Sequence, residues 1–184
     1  VGNSTIYIRK QKKIILRLNM DKYKNILVTG GAGFIGGALI RNLLHSYECK
    51  ILNLDKLSYA SDLSSISSIQ SSFKRHKHPK INLICKDKLQ NVIYEFKPNL
   101  ILHCAAESHV DRSINNPSNF IESNIVGTFN LVECARNYWQ NLNSIDREDF
   151  RFHHISTDEV FGTLNKNQDF NELSRYSPRS PYSA

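Results

Sequence analysis

Thr29-Gly30-Gly31-Ala32-Gly33-Phe34-Ile35-Gly36 decides how the rest of this sequence is read. It follows a short apolar run, Asn25 to Thr29, with the pattern of a strand buried on both faces. It opens an amphipathic stretch, Phe34 to His45, with the pattern of a helix. A turn from strand into helix gathers unpaired N–H groups and the positive end of a helix dipole in one place, where a pyrophosphate can bind. Gly30 allows the tight turn, Gly33 removes a side chain that would block phosphates, and Gly36 lets helix and strand pack closely. The spacing is G-x-x-G-x-x-G. Alone, it also fits an ordinary tight turn.

Its neighbours raise its value. Lys50 to Leu54 reads as a second strand, and Asp55 ends it 19 residues after Gly36. A carboxylate there accepts hydrogen bonds from the adenosine ribose hydroxyls and repels a 2′-phosphate, which predicts NAD rather than NADP. Strand, glycine turn, helix and acid in that order predict a dinucleotide site. Farther along, Ile81 to Cys85 is expected as a third strand, and Asp87 as the cap of a helix through Phe96 that Pro98 stops. From the end of the third strand Asp87 could also approach the adenine. Leu100 to Ala105 is expected as the fourth strand and Phe150 to Ser156 as the fifth. Between them Pro117 opens a long helix, on which Phe120, Ile121, Ile125, Phe129, Val132 and Ala135 or Arg136 trace one apolar stripe. The serine-dense stretch Ser58 to Ser72, with Leu63, Ile66 and Ile69 at helical spacing, predicts a short helix. Strands alternating with helices define the α/β class, a Rossmann-type doubly wound parallel sheet.

Composition narrows the function. The chain has 184 residues and a net charge of +7, but seven basic side chains against Asp21 place +6 within residues 1–25. The other 17 basic and 16 acidic residues leave +1. Nucleic-acid binding needs cations gathered on a folded face, so none is expected. Residues 1–23 are expected to be a basic extension outside the fold, with Met20 as an alternative start of translation. The longest apolar runs fall short of a membrane span. Cys49, Cys85, Cys104 and Cys134 lie far apart without metal-ligand spacing, which predicts no metal site and reduced thiols in the cytoplasm.

Two segments carry chemistry. At the end of the fifth strand, Ser156-Thr157-Asp158-Glu159 places a hydroxyl and two carboxyl groups at the sheet edge where open α/β proteins bind ligands. Adjacent carboxylates can divide acid and base work when their surroundings separate their pKa values, although an isolated Asp-Glu pair is commonly a solvated turn. Pro181-Tyr182-Ser183-Ala184 holds a phenol, which needs nearby positive charge to act as a base near neutral pH.

At these residues a family becomes recognisable. Lys24 to Ala184 resembles the dTDP-glucose 4,6-dehydratases of the extended short-chain dehydrogenase group. The resemblance runs through the glycine turn, Asp55-Lys56-Leu57-Ser58-Tyr59-Ala60, Ala105-Ala106-Glu107-Ser108-His109-Val110-Asp111-Arg112-Ser113, and Phe152-His153-His154-Ile155-Ser156-Thr157-Asp158-Glu159. It implies NAD held by Gly30, Gly33, Phe34, Ile35, Gly36, Asp55, Lys56, Ser58, Asp87, Ala105 and Ala106, and a dTDP-glucose substrate met by Ser108, His109 and Thr157. Glu107, Asp111 and Arg112 read equally well as a structural ion-pair cluster, and Asn124 matches a helix asparagine of the family.

The implied reaction oxidises sugar carbon 4 with NAD as hydride acceptor, removes water across carbons 5 and 6, and returns the hydride to carbon 6. Tyr182 would deprotonate the carbon 4 hydroxyl and Thr157 would help hold its oxygen. Glu159 would take the proton from carbon 5 while Asp158 protonates the departing hydroxyl. The resemblance further implies homodimers, and a chain that stops two residues short of the family's partner lysine and lacks its substrate-binding domain. The 184 residues alone are therefore expected to show little turnover and weak NAD binding at best. Related epimerases and decarboxylases, which can work without the paired carboxylates, are the alternative reading. A dinucleotide-binding protein that has lost its chemistry is the other.

Overall fold

The structure, a computed structural model, describes residues 20–58, 61–62, 75–164 and 169–184. Five parallel strands form one sheet in the order β3-β2-β1-β4-β5: β1 Asn25–Thr29, β2 Lys50–Leu54, β3 His76–Lys77, β4 Leu100–His103 and β5 Arg151–His154. Successive side chains of a strand alternate between sheet faces, and each face has its own core. Ile26, Val28, Ile51, Leu100 and Leu102 pack with Ile40, Leu43 and Leu44 of helix α1, Phe34–Ser46. Leu27, Leu52 and Ile101 pack on the opposite face with Leu89 and Ile93 of α2, Lys86–Phe96, and with Leu131, Cys134 and Tyr138 of α5, Thr128–Gln140. Helices therefore cover both faces, as predicted for a doubly wound sheet. Connections after β1 and β4 leave on opposite sides, which makes the gap between those two strand ends the topological switch point.

β1 and β2 fall where the sequence places them. The third strand does not. Ile81 and Leu83 are buried, which gives Ile81 to Cys85 a strand-like pattern, but the backbone turns at Leu83 and Ile84, and β3 is the short pair His76–Lys77 upstream. Asp87 is not a cap either: Cys85 occupies that position with no side-chain bond, and Asp87 lies exposed in the first turn. The fold starts earlier than residue 24, since Met20 and Tyr23 are buried in the α1-side core. Residues 1–19 and most of the serine-dense stretch lie outside the described residues.

The helix opened by Pro117 is one continuous run in three geometries: α4 Pro117–Phe120, a π-helical segment Ile121–Gly127, and α5. Its predicted stripe is real but faces outward. Phe120 is buried, whereas Ile121, Ile125, Phe129 and Val132 are 51%, 61%, 60% and 42% exposed. The buried face instead carries Gly127, Asn130, Leu131, Cys134, Ala135 and Tyr138. Asn130 tolerates burial because its amide donates to the carbonyls of Leu83 and Ile84, both at 3.2 Å. Two short helices went unpredicted: α3 Val110–Asn115 and α6 Ser144–Asp149. Among the described residues no helix is long and apolar enough to cross a membrane, and no cluster of potential ligands could hold a metal ion.

Candidate active site

A cleft of about 590 Å³ opens at the switch point, and the glycine turn forms one wall. Gly30 has φ +71°, and a Cβ there would strike the backbone of Ala105, so the position excludes a side chain twice over. Its N–H donates to the Leu54 carbonyl at 2.9 Å. Gly31, given no role from the sequence, is as tightly held: a Cβ would meet the Asn53 amide and Ile40, and its N–H donates to Asn53 Oδ1 at 2.9 Å. A Cβ at Gly36 would meet Gly30 and Gly31, so its smallness serves the turn itself rather than helix-to-strand packing. Gly33, the residue before α1, has no side-chain cap bond, and the first turn of α1 holds no acid. The N–H groups opening the helix thus face the cleft with no competing anion of their own.

Asp55 grips the same turn. Its Oδ2 accepts from the Ala32 N–H at 2.9 Å, and its Oδ1 accepts from Leu57 N–H at 2.8 Å and the Ser61 hydroxyl at 3.4 Å. Lys56 Nζ lies 2.6 Å from Glu107 Oε1 and 3.5 Å from Ser123 Oγ. The loop carrying Ala105, Ala106, Glu107 and Ser108 is held from the helix side. Within the π-helical segment, Asn124 Oδ1 accepts from the Glu107 N–H and its Nδ2 donates to the Glu107 carbonyl, both at 2.8 Å. The family match at Asn124 thereby acquires a mechanical meaning, and a π turn at such a place is a common way to re-aim side chains.

Beneath the cleft runs a buried polar chain that sequence reading missed. The Ala105 N–H donates to Thr29 Oγ1 at 3.1 Å, Thr29 Oγ1 lies 2.6 Å from His103 Nδ1, and His103 Nε2 lies 2.9 Å from Thr128 Oγ1. Every group is satisfied when the Thr29 hydroxyl donates to Nδ1 and Nε2–H donates to Thr128, which makes His103 neutral. Burial, helped by the neighbouring His154, lowers its pKa to about 4, in agreement. The signal for it was a histidine ending an otherwise apolar strand. Cys104, next along and lining the cleft, is pushed up to about 12 by burial, so its thiol is no nucleophile.

The other wall comes from the segment after β5 and from residues 181–184. Thr157 Oγ1 accepts from the Glu159 N–H at 3.2 Å, leaving its own O–H to donate. Tyr182 is half-buried, edge-on to Phe120 with ring centres 6.5 Å apart. It sits in a turn that Ser180 and Ser183 close on each other, with Oγ atoms 3.0 Å apart and the Arg179 and Ser180 N–H groups donating to Ser183 Oγ. A bond from the Ser177 N–H to the Val160 carbonyl at 2.9 Å ties this segment to the 3-10 turn Asp158–Phe161.

Of the residues singled out from sequence, Gly30, Gly33, Phe34, Ile35, Gly36, Asp55, Lys56, Ser58, Ala105, Ala106, Ser108, Thr157 and Tyr182 all line the one cleft. Asp87, His109, Asp158 and Glu159 do not, and all four are exposed. For Asp87 the reason is the displaced third strand, which puts Ile81, Asn82 and Leu83 at the cleft instead. Asp158 and Glu159 stand on a turn between Thr157 and Val160, which do reach it.

Residues 27–184 match the family model described as GDP-mannose 4,6 dehydratase. A dTDP-glucose 4,6-dehydratase of Neisseria gonorrhoeae is 49% identical over 162 residues, which are 88% of this chain and 46% of that protein. Among solved structures, the dTDP-glucose 4,6-dehydratase of Bacillus anthracis in complex with NAD superposes with a TM-score of 0.71 at 35% identity, over 87% of this chain and 46% of that one. The Streptomyces venezuelae enzyme with NAD and TYD bound gives 0.74 at 34% identity, over 86% and 47%. The chain spans about half the length of the curated relatives it matches.

Proposed function

We propose, for a chain that belongs to the family described as GDP-mannose 4,6 dehydratase, that the protein carrying it is an NAD-dependent sugar-nucleotide 4,6-dehydratase acting on dTDP-glucose. One observation carries this reading: the uncapped start of α1 and the pair Thr157 and Tyr182 line opposite walls of a single cleft at the switch point.

The residues present fit a dinucleotide. Gly33 adds no side chain at the helix start, where a Cβ would meet only the Gly30 carbonyl, at 3.3 Å. The pyrophosphate would lie on the N–H groups of Phe34 to Gly36, where both the dipole and the missing intrahelical partners favour an anion. Asp55 would accept from the ribose at the end of β2. Bound there, NAD would serve as a temporary acceptor for the hydride leaving sugar carbon 4.

On the opposite wall Tyr182 would receive the proton of the carbon 4 hydroxyl, and the free O–H of Thr157 would donate to that oxygen and hold it in place. Once carbon 4 is a ketone, the hydrogen on carbon 5 is acidic. Glu159 would take it while Asp158 gives a proton to the hydroxyl leaving carbon 6; the hydride would then return to carbon 6 as Glu159 gives the proton back to carbon 5. Both carboxylates are exposed beside Thr157, so in this reading they act from the open side of the cleft. Homodimerisation through the long helix is part of the proposal, supported by the exposed stripe Ile121, Ile125, Phe129 and Val132. So is a cytoplasmic setting, supported by four thiols that are all free.

The test is to incubate the full protein carrying this chain with dTDP-glucose and NAD and to follow the sugar nucleotide by mass spectrometry. Loss of one water with a keto group at carbon 4 is expected. A product of unchanged mass with inverted carbon 4 would replace this reading with an epimerase.

A further inference from the structure

The end of β2 presents a carboxylate and an ammonium in succession. Asp55 is bonded into the glycine turn, while Lys56 reaches away to Glu107 at 2.6 Å. β2 and β4 flank β1 on either side, so this ion pair links the ends of the two strands bordering the cleft. The Glu107 side chain is only 12% exposed, and Asn124 holds its main chain on both the N–H and the carbonyl. Lys56 is the more exposed partner, at one-third, and both side chains line the cleft.

At this strand end a dinucleotide bearing a 2′-phosphate is accepted where a cation stands near the ribose, and rejected where a carboxylate stands there alone. This chain has both groups side by side. Resting on the dinucleotide reading of the cleft, we propose that Glu107 is a specificity-determining residue: by pairing with Lys56 it withholds the ammonium from a 2′-phosphate and so reinforces Asp55 in excluding the phosphorylated dinucleotide.

A merely structural ion pair makes a different forecast. Removing its acid would lower stability and weaken NAD and NADP alike, because an uncompensated, partly buried cation disturbs the wall common to both. The ratio of the two affinities separates these cases, since the cofactors differ only at the 2′-phosphate.

The experiment titrates NAD and NADP into the full protein carrying this chain, stripped of bound dinucleotide, by isothermal titration calorimetry, for wild type, Glu107→Gln, Lys56→Met and the double variant. Circular dichroism checks each fold. In Glu107→Gln the NADP-to-NAD affinity ratio is expected to rise about 5- to 20-fold, the effect of one released charge-assisted contact. In the double variant it should return to within about twofold of wild type. Lys56→Met alone should leave the ratio within about twofold, because the ammonium is already engaged. An unmoved ratio in Glu107→Gln, a gain that survives loss of Lys56, or a large fall in Lys56→Met would each overturn the proposal. Should Glu107→Gln not fold, Glu107→Ala takes its place with the same expected rise in the ratio, and an unmoved ratio there overturns the proposal. If wild type bound no NAD at all, the dinucleotide reading would fall first. NAD binding with an unmoved ratio sinks this inference alone.

Discussion

The two walls of the cleft are built differently. On the glycine-turn side nearly every group is bonded to another strand end: Gly30 to Leu54, Gly31 to Asn53, Ala32 to Asp55, Ala105 to Thr29. On the side of Thr157 and Tyr182 the bonds are local, made within a turn or between two neighbouring turns, and the carboxylates stand in solvent. The glycine-turn wall is thus specified by contacts between strand ends, in which main-chain N–H groups donate to the Leu54 carbonyl and to the side chains of Asn53, Asp55 and Thr29. The wall to which the proposed reading assigns the chemistry holds its groups on short turns closed by local bonds.

The most severe way to test this contrast is Gly31→Val. It drives a branched side chain into Asn53 and Ile40, and should cost about 3 kcal/mol or more in urea denaturation while abolishing NAD binding. The opposite wall should respond in the reverse sense. Replacing Asp158 by Asn together with Glu159 by Gln should change stability by less than about 0.5 kcal/mol, yet lower dehydration by the full protein roughly 10²- to 10⁴-fold. If that pair proved as destabilising as Gly31→Val, the distinction between the walls would be lost.

Acid sharpens the comparison further. His103, under the cofactor wall, and His76, on the edge strand, both have pKa values lowered to about 4 by burial, with a neighbouring histidine adding to each. The folded state therefore binds fewer protons than the unfolded chain between about pH 6.5 and 4. Stability should be full above the unfolded value and fall as the pH drops through that window, by a few kcal/mol on the order of magnitude expected for two such groups. In His103→Asn the slope should be visibly shallower. A pH-independent midpoint from 7 to 4 would contradict the neutral hydrogen-bonded chain. The smallest effect on folding of the monomer is expected at Phe129→Ser, at most about 0.5 kcal/mol, against about 2–5 kcal/mol for Leu131→Ala on the buried face of the same helix.

Those two helix positions also show what was legible in the sequence. Strand, turn and helix from Asn25 to Ser46 could be read because the glycines punctuate a local, self-contained unit. The long helix could be read as a helix, but its buried side could not. The outward stripe is the more apolar one, while the inward side includes Asn130, Cys134 and Tyr138 and is made tolerable by partners distant in sequence, such as the Leu83 and Ile84 carbonyls. Periodicity reports where apolar residues lie, not which surface they meet. Ile81 to Cys85 misled for the same reason: buried side chains at alternate positions sit on a turn rather than in a ladder. In the cleft, the glycine turn, Asp55 and Ala105 line one cavity with Thr157 and Tyr182, while Asp87, His109, Asp158 and Glu159 stand outside it. His103 and Gly31 escaped notice because their importance lies entirely in contacts across the sheet.

The clasp between Asn124 and residue 107 is made wholly through the peptide unit, as one strand grips another. What it recognises is therefore the path of the chain and not the identity of the side chain mounted there. The loop is thus a rail fixed apart from what it carries: the grip itself is indifferent to charge or polarity at residue 107, while the side chain there, only 12% exposed and paired with Lys56, has its own space to fit. Evolutionary drift, or an engineer, could retune the chemistry at this corner while leaving the architecture beneath it undisturbed.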